Sequence, residues 1–163
     1  MSFEIKSASQ HDLSAVSQFL QPFMTAQHLL QRTSADIQLL LRHGFKAESD
    51  GSIIGFCALE IYSMKLAEIQ CLAVAESHQR KGIGRQLVNA CVRRAKEENV
   101  LELLAISSSE PMFKACGLIT HSRIKNVLSF IKPKTTPIRT ATRHATPTTT
   151  KPRKVSKAAD ERR

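Results

Sequence analysis

Residues 65–98 read KLAEIQCLAVAESHQRKGIGRQLVNACVRRAKEE, and no other stretch of the chain restricts the fold as much. Within it KLAEIQCLAVAE, residues 65–76, is nearly continuous in apolar residues, the pattern of a strand covered on both faces at the centre of a sheet. From Gly82 to about Glu98 the apolar residues Ile83, Leu87, Val88, Cys91, Val92 and Ala95 recur at helical spacing, with arginines on the opposite face. A buried strand that feeds a helix through a short glycine loop requires helices layered on a sheet, which gives an α/β class with a mixed sheet.

The remaining elements fit around that unit. FEIKSA alternates and reads as a first strand. HDLSAVSQFLQPF follows as a helix with Leu13, Val16, Phe19 and Leu20 inward, capped by Ser9 or Asp12 and interrupted at Pro22. RTSADIQLLLRHG supplies a second helix with Ser34 as N-cap and Gly44 as its stop. Two strands joined by Asp50-Gly51 form a hairpin, because that dipeptide accepts the positive φ angles of a tight turn. After the central helix, VLELLAIS reads as another buried strand, SEPMFKACG as a short helix ending at Gly117, and LITHSRIKNVLSFI as one or two closing strands. The predicted order is β-α-α-β-β-β-α-β-α-β.

Charge divides the chain in two. The formal net charge is +10, but residues 132–163 hold ten Lys and Arg against two acids, while residues 1–131 hold fourteen against twelve. The basic stretch also carries eight threonines and four prolines with few aliphatic side chains. Such a composition cannot bury enough apolar surface to offset the entropy of ordering. The expectation is a folded domain over 1–131 and a disordered basic tail over 132–163. The tail reads either as a solubilising extension or as an arm with weak, salt-sensitive contact to nucleic acid or another polyanion. Cys57, Cys71, Cys91 and Cys116 form no C-x-x-C pair, so neither a zinc site nor a disulfide framework is expected, and no metal is called for. No segment has the pattern of a leader or a membrane span, which makes a reducing cytoplasm the default and excludes a membrane partner.

The loop HQRKGIG at 78–84 raises the question of what needs bare backbone and positive charge at a helix start. Such a start leaves about four amides unpaired and carries roughly half a positive charge. With Gly82 and Gly84 to admit close approach, and Gln79, Arg80 and Lys81 as added donors, the loop describes a pyrophosphate cradle. It is not a P-loop, since no glycine stands five positions before Gly82. Nor is it a dinucleotide fingerprint, since Leu87 occupies the third glycine position.

What it does match is Gln-x-x-Gly-x-Gly placed directly after an apolar strand, carried by Gln79, Gly82 and Gly84 behind LAV. Residues 67–88 thereby resemble the GNAT acyltransferases, and the order of elements over about residues 3–131 resembles that fold. The resemblance implies acetyl-CoA as the acetyl donor. The strand bearing Leu72, Ala73 and Val74 would splay from its neighbour and pair with the pantetheine arm. The amides of residues 79–84, Ile83 included, would hold the pyrophosphate, and an N–H near Leu72 would polarise the thioester carbonyl. Period-two alternation puts Glu68, Gln70 and Leu72 on one face. In this family an acid in the position of Glu68 often accepts the proton of the attacking amine. The tyrosine that many members use to protonate the leaving thiolate is replaced by Phe113, so the acid is left open between water and Ser107, Ser108 or Ser109. The only tyrosine, Tyr62, is expected beyond the hairpin strand.

Within the family, residues 29–74 look like the acetyltransferase domain of N-acetylglutamate synthases, in which an arginine before the second helix helps clamp the acceptor's carboxylate. Arg32, followed by Thr33-Ser34, takes that place. The expectation is therefore an N-acetyltransferase acting on a small-molecule primary amine, an α-amino acid with glutamate favoured, and with it a place in arginine biosynthesis. Two alternatives stand beside it: a protein or peptide N-acetyltransferase, and a non-catalytic CoA-binding or nucleic-acid-binding module. Oligomeric state is open, a homodimer included.

Overall fold

A computed structural model describes residues 2–106, 110–120 and 127–131. The elements in chain order are β1 (Glu4–Ser7), α1 (Leu13–Thr25), α2 (Ser34–Leu40), β2 (Gly44–Ser49), β3 (Ser52–Ser63), β4 (Leu66–Val74), α3 (Ile83–Glu97), β5 (Glu102–Ile106), α4 (Glu110–Ala115), β6 (Ile119–Thr120) and β7 (Val127–Ile131). They build one seven-stranded mixed sheet in the order β1-β2-β3-β4-β5-β7-β6. Only β4 and β5 run parallel, as a crossover through α3 demands; the other pairs are antiparallel. The mixed sheet, the central strand and the order of elements agree with the sequence reading. The tail from Lys132 onward and Ser107–Ser109 lie outside the described residues.

Two apolar clusters cover the two faces. On one, α3 buries Ile83, Leu87, Val88 and Cys91 against Ile54, Cys57, Leu59, Ala67 and Ile69, joined by Phe113 and Leu118. On the other, α1 and α2 bury Val16, Leu20, Ile37 and Leu40 against Phe56, Ala58, Cys71 and Ala73. The β2–β3 hairpin closes through Asp50 and Gly51 with φ of 50° and 75°, the two left-handed residues its sequence signals.

Two details differ from the sequence reading. Pro22 does not interrupt α1, which continues to Thr25. Pro22 lies on the exposed side of the helix, away from the packed Val16, Leu20 and Met24. The N-cap of α2 is Thr33, not Ser34. Thr33 Oγ1 accepts from the Asp36 amide at 3.2 Å while the Asp36 carboxylate accepts from the Thr33 amide at 2.8 Å, a reciprocal capping box. That box fixes where the chain turns after Arg32.

Candidate functional site

The strand β4 is the spine of the site, and its irregularity shapes it. Phe56 pairs with Ala73 but Ala58 pairs with Gln70, so β4 carries one extra residue opposite β3. The extra residue is accommodated at Cys71, whose φ of 53° is rare for a side chain with a Cβ and marks a β-bulge. On the other edge the parallel ladder with β5 ends at Ile69 and Ala105, although β4 runs on to Val74. Beyond Ile69 the β5-facing backbone of β4 has no ladder partner among the described residues.

The bulge also corrects a face. Ala67 and Ile69 pack in the α3 cluster, and so do Leu72 and Val74, whereas Cys71 and Ala73 pack under α1 and α2. One inserted residue reverses the alternation. Leu72 consequently does not share a face with Glu68 and Gln70, as strict period two implied. The two lie on opposite sides of the sheet, a few residues apart along one strand.

On the α3 side the gap opens into a groove of about 500 Å³ lined by Leu72, Val74, His78, Gln79, Arg80, Gly82, Ile83, Gly84, Arg85 and Met112. Arg80 and Gly82 both have left-handed backbones, with φ of 60° and 82°. Gly82 is the N-cap of α3 and no side chain caps it. The helical ladder begins with Gln86 N donating to Gly82 O at 3.1 Å, which leaves the first-turn amides of Ile83, Gly84 and Arg85 without helical acceptors. The loop is braced from behind. Gln79 Nε2 donates to Val74 O at 3.2 Å and Lys81 Nζ to Ser77 O at 2.9 Å. Leu72, Val74, Gln79, Arg80, Gly82, Ile83 and Gly84 thus meet in one groove. Ala73 lies on the opposite face, and Lys81 turns its ammonium back onto its own loop. His78, Arg85 and Met112 complete the lining and were not foreseen. Uncapped amides, a helix dipole and two arginines suit a polyanion.

On the α1/α2 side a hydrogen-bonded chain crosses the strands. Tyr62 Oη donates toward Glu68 Oε2 at 2.8 Å and lies 3.2 Å from Glu60 Oε2. Gln70 Nε2 lies 3.4 Å from Tyr62 Oη, and Arg32 Nη2 donates to Gln70 Oε1 at 2.9 Å. Tyr62 thus belongs to β3 itself rather than standing beyond it. Glu60 and Glu68 are direct cross-strand partners. Arg32 Nε is buried with no acceptor, and among the described residues no carboxylate pairs with this guanidinium. Arg32 and Glu60 also line a cavity of about 240 Å³ with Asp36, Arg42 and His43. A guanidinium with a free edge beside an acid is the donor set for a ligand carrying both a carboxylate and an amine.

Thiol chemistry is disfavoured here. Burial pushes the thiol of Cys71 up despite the opposing pull of Arg32, and burial raises Cys57 and Cys116 as well. Those thiols are poor nucleophiles at neutral pH. Phe113, in the position where a tyrosine hydroxyl was sought, is packed into the α3-side core. No helix among the described residues is long and apolar enough to cross a membrane.

The profile of the family described as Acetyltransferase (GNAT) matches residues 13–119. An uncharacterized N-acetyltransferase of Chlorobaculum tepidum is 35% identical over 113 residues, which is 69% of this chain and 73% of that protein. An amino-acid acetyltransferase of Pasteurella multocida is 26% identical over 105 residues, 64% of this chain but 24% of that protein. Among solved structures, the N-acetylglutamate synthase of Neisseria gonorrhoeae, complexed with coenzyme A and N-acetyl-glutamate, superposes with a TM-score of 0.66. It is 19% identical and covers 80% of this chain and 35% of that one, a likeness of fold.

Proposed function

The chain belongs to the acetyltransferase (GNAT) family, and from that premise we propose that it transfers the acetyl group of acetyl-CoA directly to the α-amino group of an amino acid, with glutamate the favoured acceptor. The observation that carries the acceptor class is Arg32. Its guanidinium is tied to Gln70 on β4, has a buried Nε without an acceptor, and stands in one hydrogen-bonded chain with Glu68. An incoming carboxylate would satisfy that edge in the bidentate manner guanidinium favours, leaving the α-ammonium toward the carboxylates.

Acetyl-CoA supplies an electrophilic thioester carbonyl and a thiolate that leaves with a pKa near that of a free thiol, about 8.5. The chain's own groups do the rest. The amides of Ile83 and Gly84, with Gln79 and Arg80, hold the diphosphate in the groove. The β4 backbone from Leu72 to Val74, free of β5, pairs with the pantetheine amides as an added strand would. An N–H near Leu72 takes the oxyanion that forms when nitrogen attacks, a contact worth about 3 kcal/mol in such sites. Glu68 accepts a proton from the ammonium so that a lone pair is free to attack. Breaking C–S then leaves an N-acetyl amine and a thiolate. Of the two protons the nitrogen loses, one ends on sulfur and one in solvent. The raised thiols of Cys57, Cys71 and Cys116 favour this direct attack over an acetyl-cysteine route.

The test follows free thiol release from acetyl-CoA with single amino acids and peptides as acceptors. Glutamate is expected to support turnover, and Arg32→Ala to raise its KM about tenfold or more while kcat stays within about threefold. Turnover with peptides alone, or an Arg32→Ala protein with unaltered KM, would remove the amino-acid reading. CoA binding with no acetyl transfer to any amine would support the non-catalytic alternative.

A further inference from the structure

Glu60 and Glu68 are paired directly across β3 and β4, where two like charges repel. Sheets ordinarily avoid that pair. Here the Tyr62 hydroxyl sits between the two carboxylates, 2.8 Å from Glu68 and 3.2 Å from Glu60. A phenol has one proton to give, and the shorter contact is to Glu68. We propose that Tyr62 is a positioning residue for the acetyl transfer: its hydroxyl holds the Glu68 carboxylate in one orientation against the repulsion of Glu60, aimed to take the acceptor's proton. The proposal rests on the reading of Glu68 as the base.

The surroundings of Glu68 leave few other groups for this task. Arg32 donates to Gln70, and Gln70 in turn meets the Tyr62 hydroxyl rather than the carboxylate. From β5, Leu104 stands opposite Glu68, and Glu102 lies two residues earlier on the same face, adding negative charge. The α1 side chains packed under β4 are apolar, Val16, Leu20 and Met24 among them. Tyr62 is therefore the donor in hydrogen-bond contact with this carboxylate, among the described residues. Burial of the phenol and its bond to Glu68 push its own pKa up to about 12, so it remains a donor across neutral pH and is no proton acceptor itself. The ring is half exposed, which leaves room for an acceptor amine to reach the same carboxylate.

Removing the hydroxyl and keeping the ring isolates the effect. The full chain is labelled with carboxyl-13C glutamate, and the Glu68 resonance is assigned by its loss in Glu68→Gln. In Tyr62→Phe that resonance is expected to move and broaden at neutral pH, because the carboxylate has lost the hydrogen bond that holds it in one orientation. With acetyl-CoA and L-glutamate, kcat should fall about tenfold while the KM for acetyl-CoA stays put. A purely structural tyrosine would lower the thermal midpoint without moving the Glu68 resonance or separating kcat from KM. If Glu68→Gln abolishes turnover but the Glu68 resonance and kcat of Tyr62→Phe match the wild type, the role of Tyr62 is overturned and the base stands. If Glu68→Gln turns over undiminished, the base reading is lost and this inference goes with it.

Discussion

At the scale of single residues, the two glycines of the loop that opens α3 do different work. Gly82 has φ of 82°, and a Cβ built there would meet nothing within 4 Å. Its requirement is conformational, since a left-handed L-residue costs roughly 1–2 kcal/mol. Gly84 has an ordinary helical backbone, and a Cβ there would touch Val74 Cγ2 at 3.7 Å, a normal contact at the groove wall. The consequences have opposite signs. Gly82→Ala should lower stability in urea by about 1–2 kcal/mol and weaken CoA binding, because the amides it orients would turn. Gly84→Ala should leave stability unchanged or raise it by up to about 1 kcal/mol, since alanine is the better helix former. Its methyl group would still narrow the groove and reduce CoA affinity in calorimetry. Equal affinities for wild type and both variants would mean that the diphosphate is held elsewhere.

At the scale of elements, what was legible in the sequence followed residue types that announce their geometry. Asp50-Gly51 specified the hairpin, the Ile83-to-Ala95 spacing specified α3, and Gln79, Gly82 and Gly84 specified the loop. What was hidden depended on pairing. The extra residue of β4 falls at Cys71, and no residue type there advertises a φ of 53°, so the reversal of face between Gln70 and Leu72 could not be read. The turn at Ser63–Lys65 lacks a glycine or an asparagine, so nothing fixed the β3–β4 register that sets Glu60 against Glu68 and brings Tyr62 to it. Docking of α3 was equally invisible. It presses onto β3 at Gly55, where a Cβ would stand 3.1 Å from Ile83 Cγ2 and from Leu87 Cδ1 and 3.3 Å from the Ala73 carbonyl. Gly55→Ala should therefore lift the start of α3 and cost about 1–2 kcal/mol by overpacking. Because Ile83 opens the anion-binding turn, CoA affinity should fall too. A stable Gly55→Ala protein with full affinity would show that the helix start is not set by this contact.

At the scale of the whole described domain, the reaction we propose draws on both faces of the sheet. The anion groove opens beside α3 while Glu68, Tyr62 and Arg32 lie under α1 and α2, and the two sides meet where β4 leaves β5. That opening lies in the middle of the sheet, so the outer strands must hold β3 in place, and they do so partly with charge. Lys46 on β2 reaches Asp12 at 2.7 Å and Glu48 at 2.6 Å, and Lys6 on β1 reaches Glu48 at 2.9 Å. Burial works against the charged form of Asp12, but the Lys46 ammonium and the Ser9 amide and hydroxyl outweigh it and hold the carboxyl below its ordinary 3.8. Hydrogen bonds from Lys46 and Lys6 likewise hold Glu48 below 4.5. Burial also opposes the Lys46 charge, yet Asp12 and Glu48 raise it above 10.5. The signs follow from linkage. Depressed carboxyls add stability that is present above their unfolded values and lost as pH falls through the lower folded ones. The raised ammonium adds stability that is present below 10.5 and lost as pH climbs past its folded value. Lys46→Met should cost about 1 kcal/mol at neutral pH, because Asp12 loses its ammonium partner and Glu48 keeps only Lys6 among the described residues. In thermal melts the difference between wild type and Lys46→Met should be flat through the neutral range and close at both extremes, in acid below 3.8 and in alkali above 10.5. A gap that persists unchanged below those carboxyl values would mean that Lys46 acts through its aliphatic stem and not through its charge.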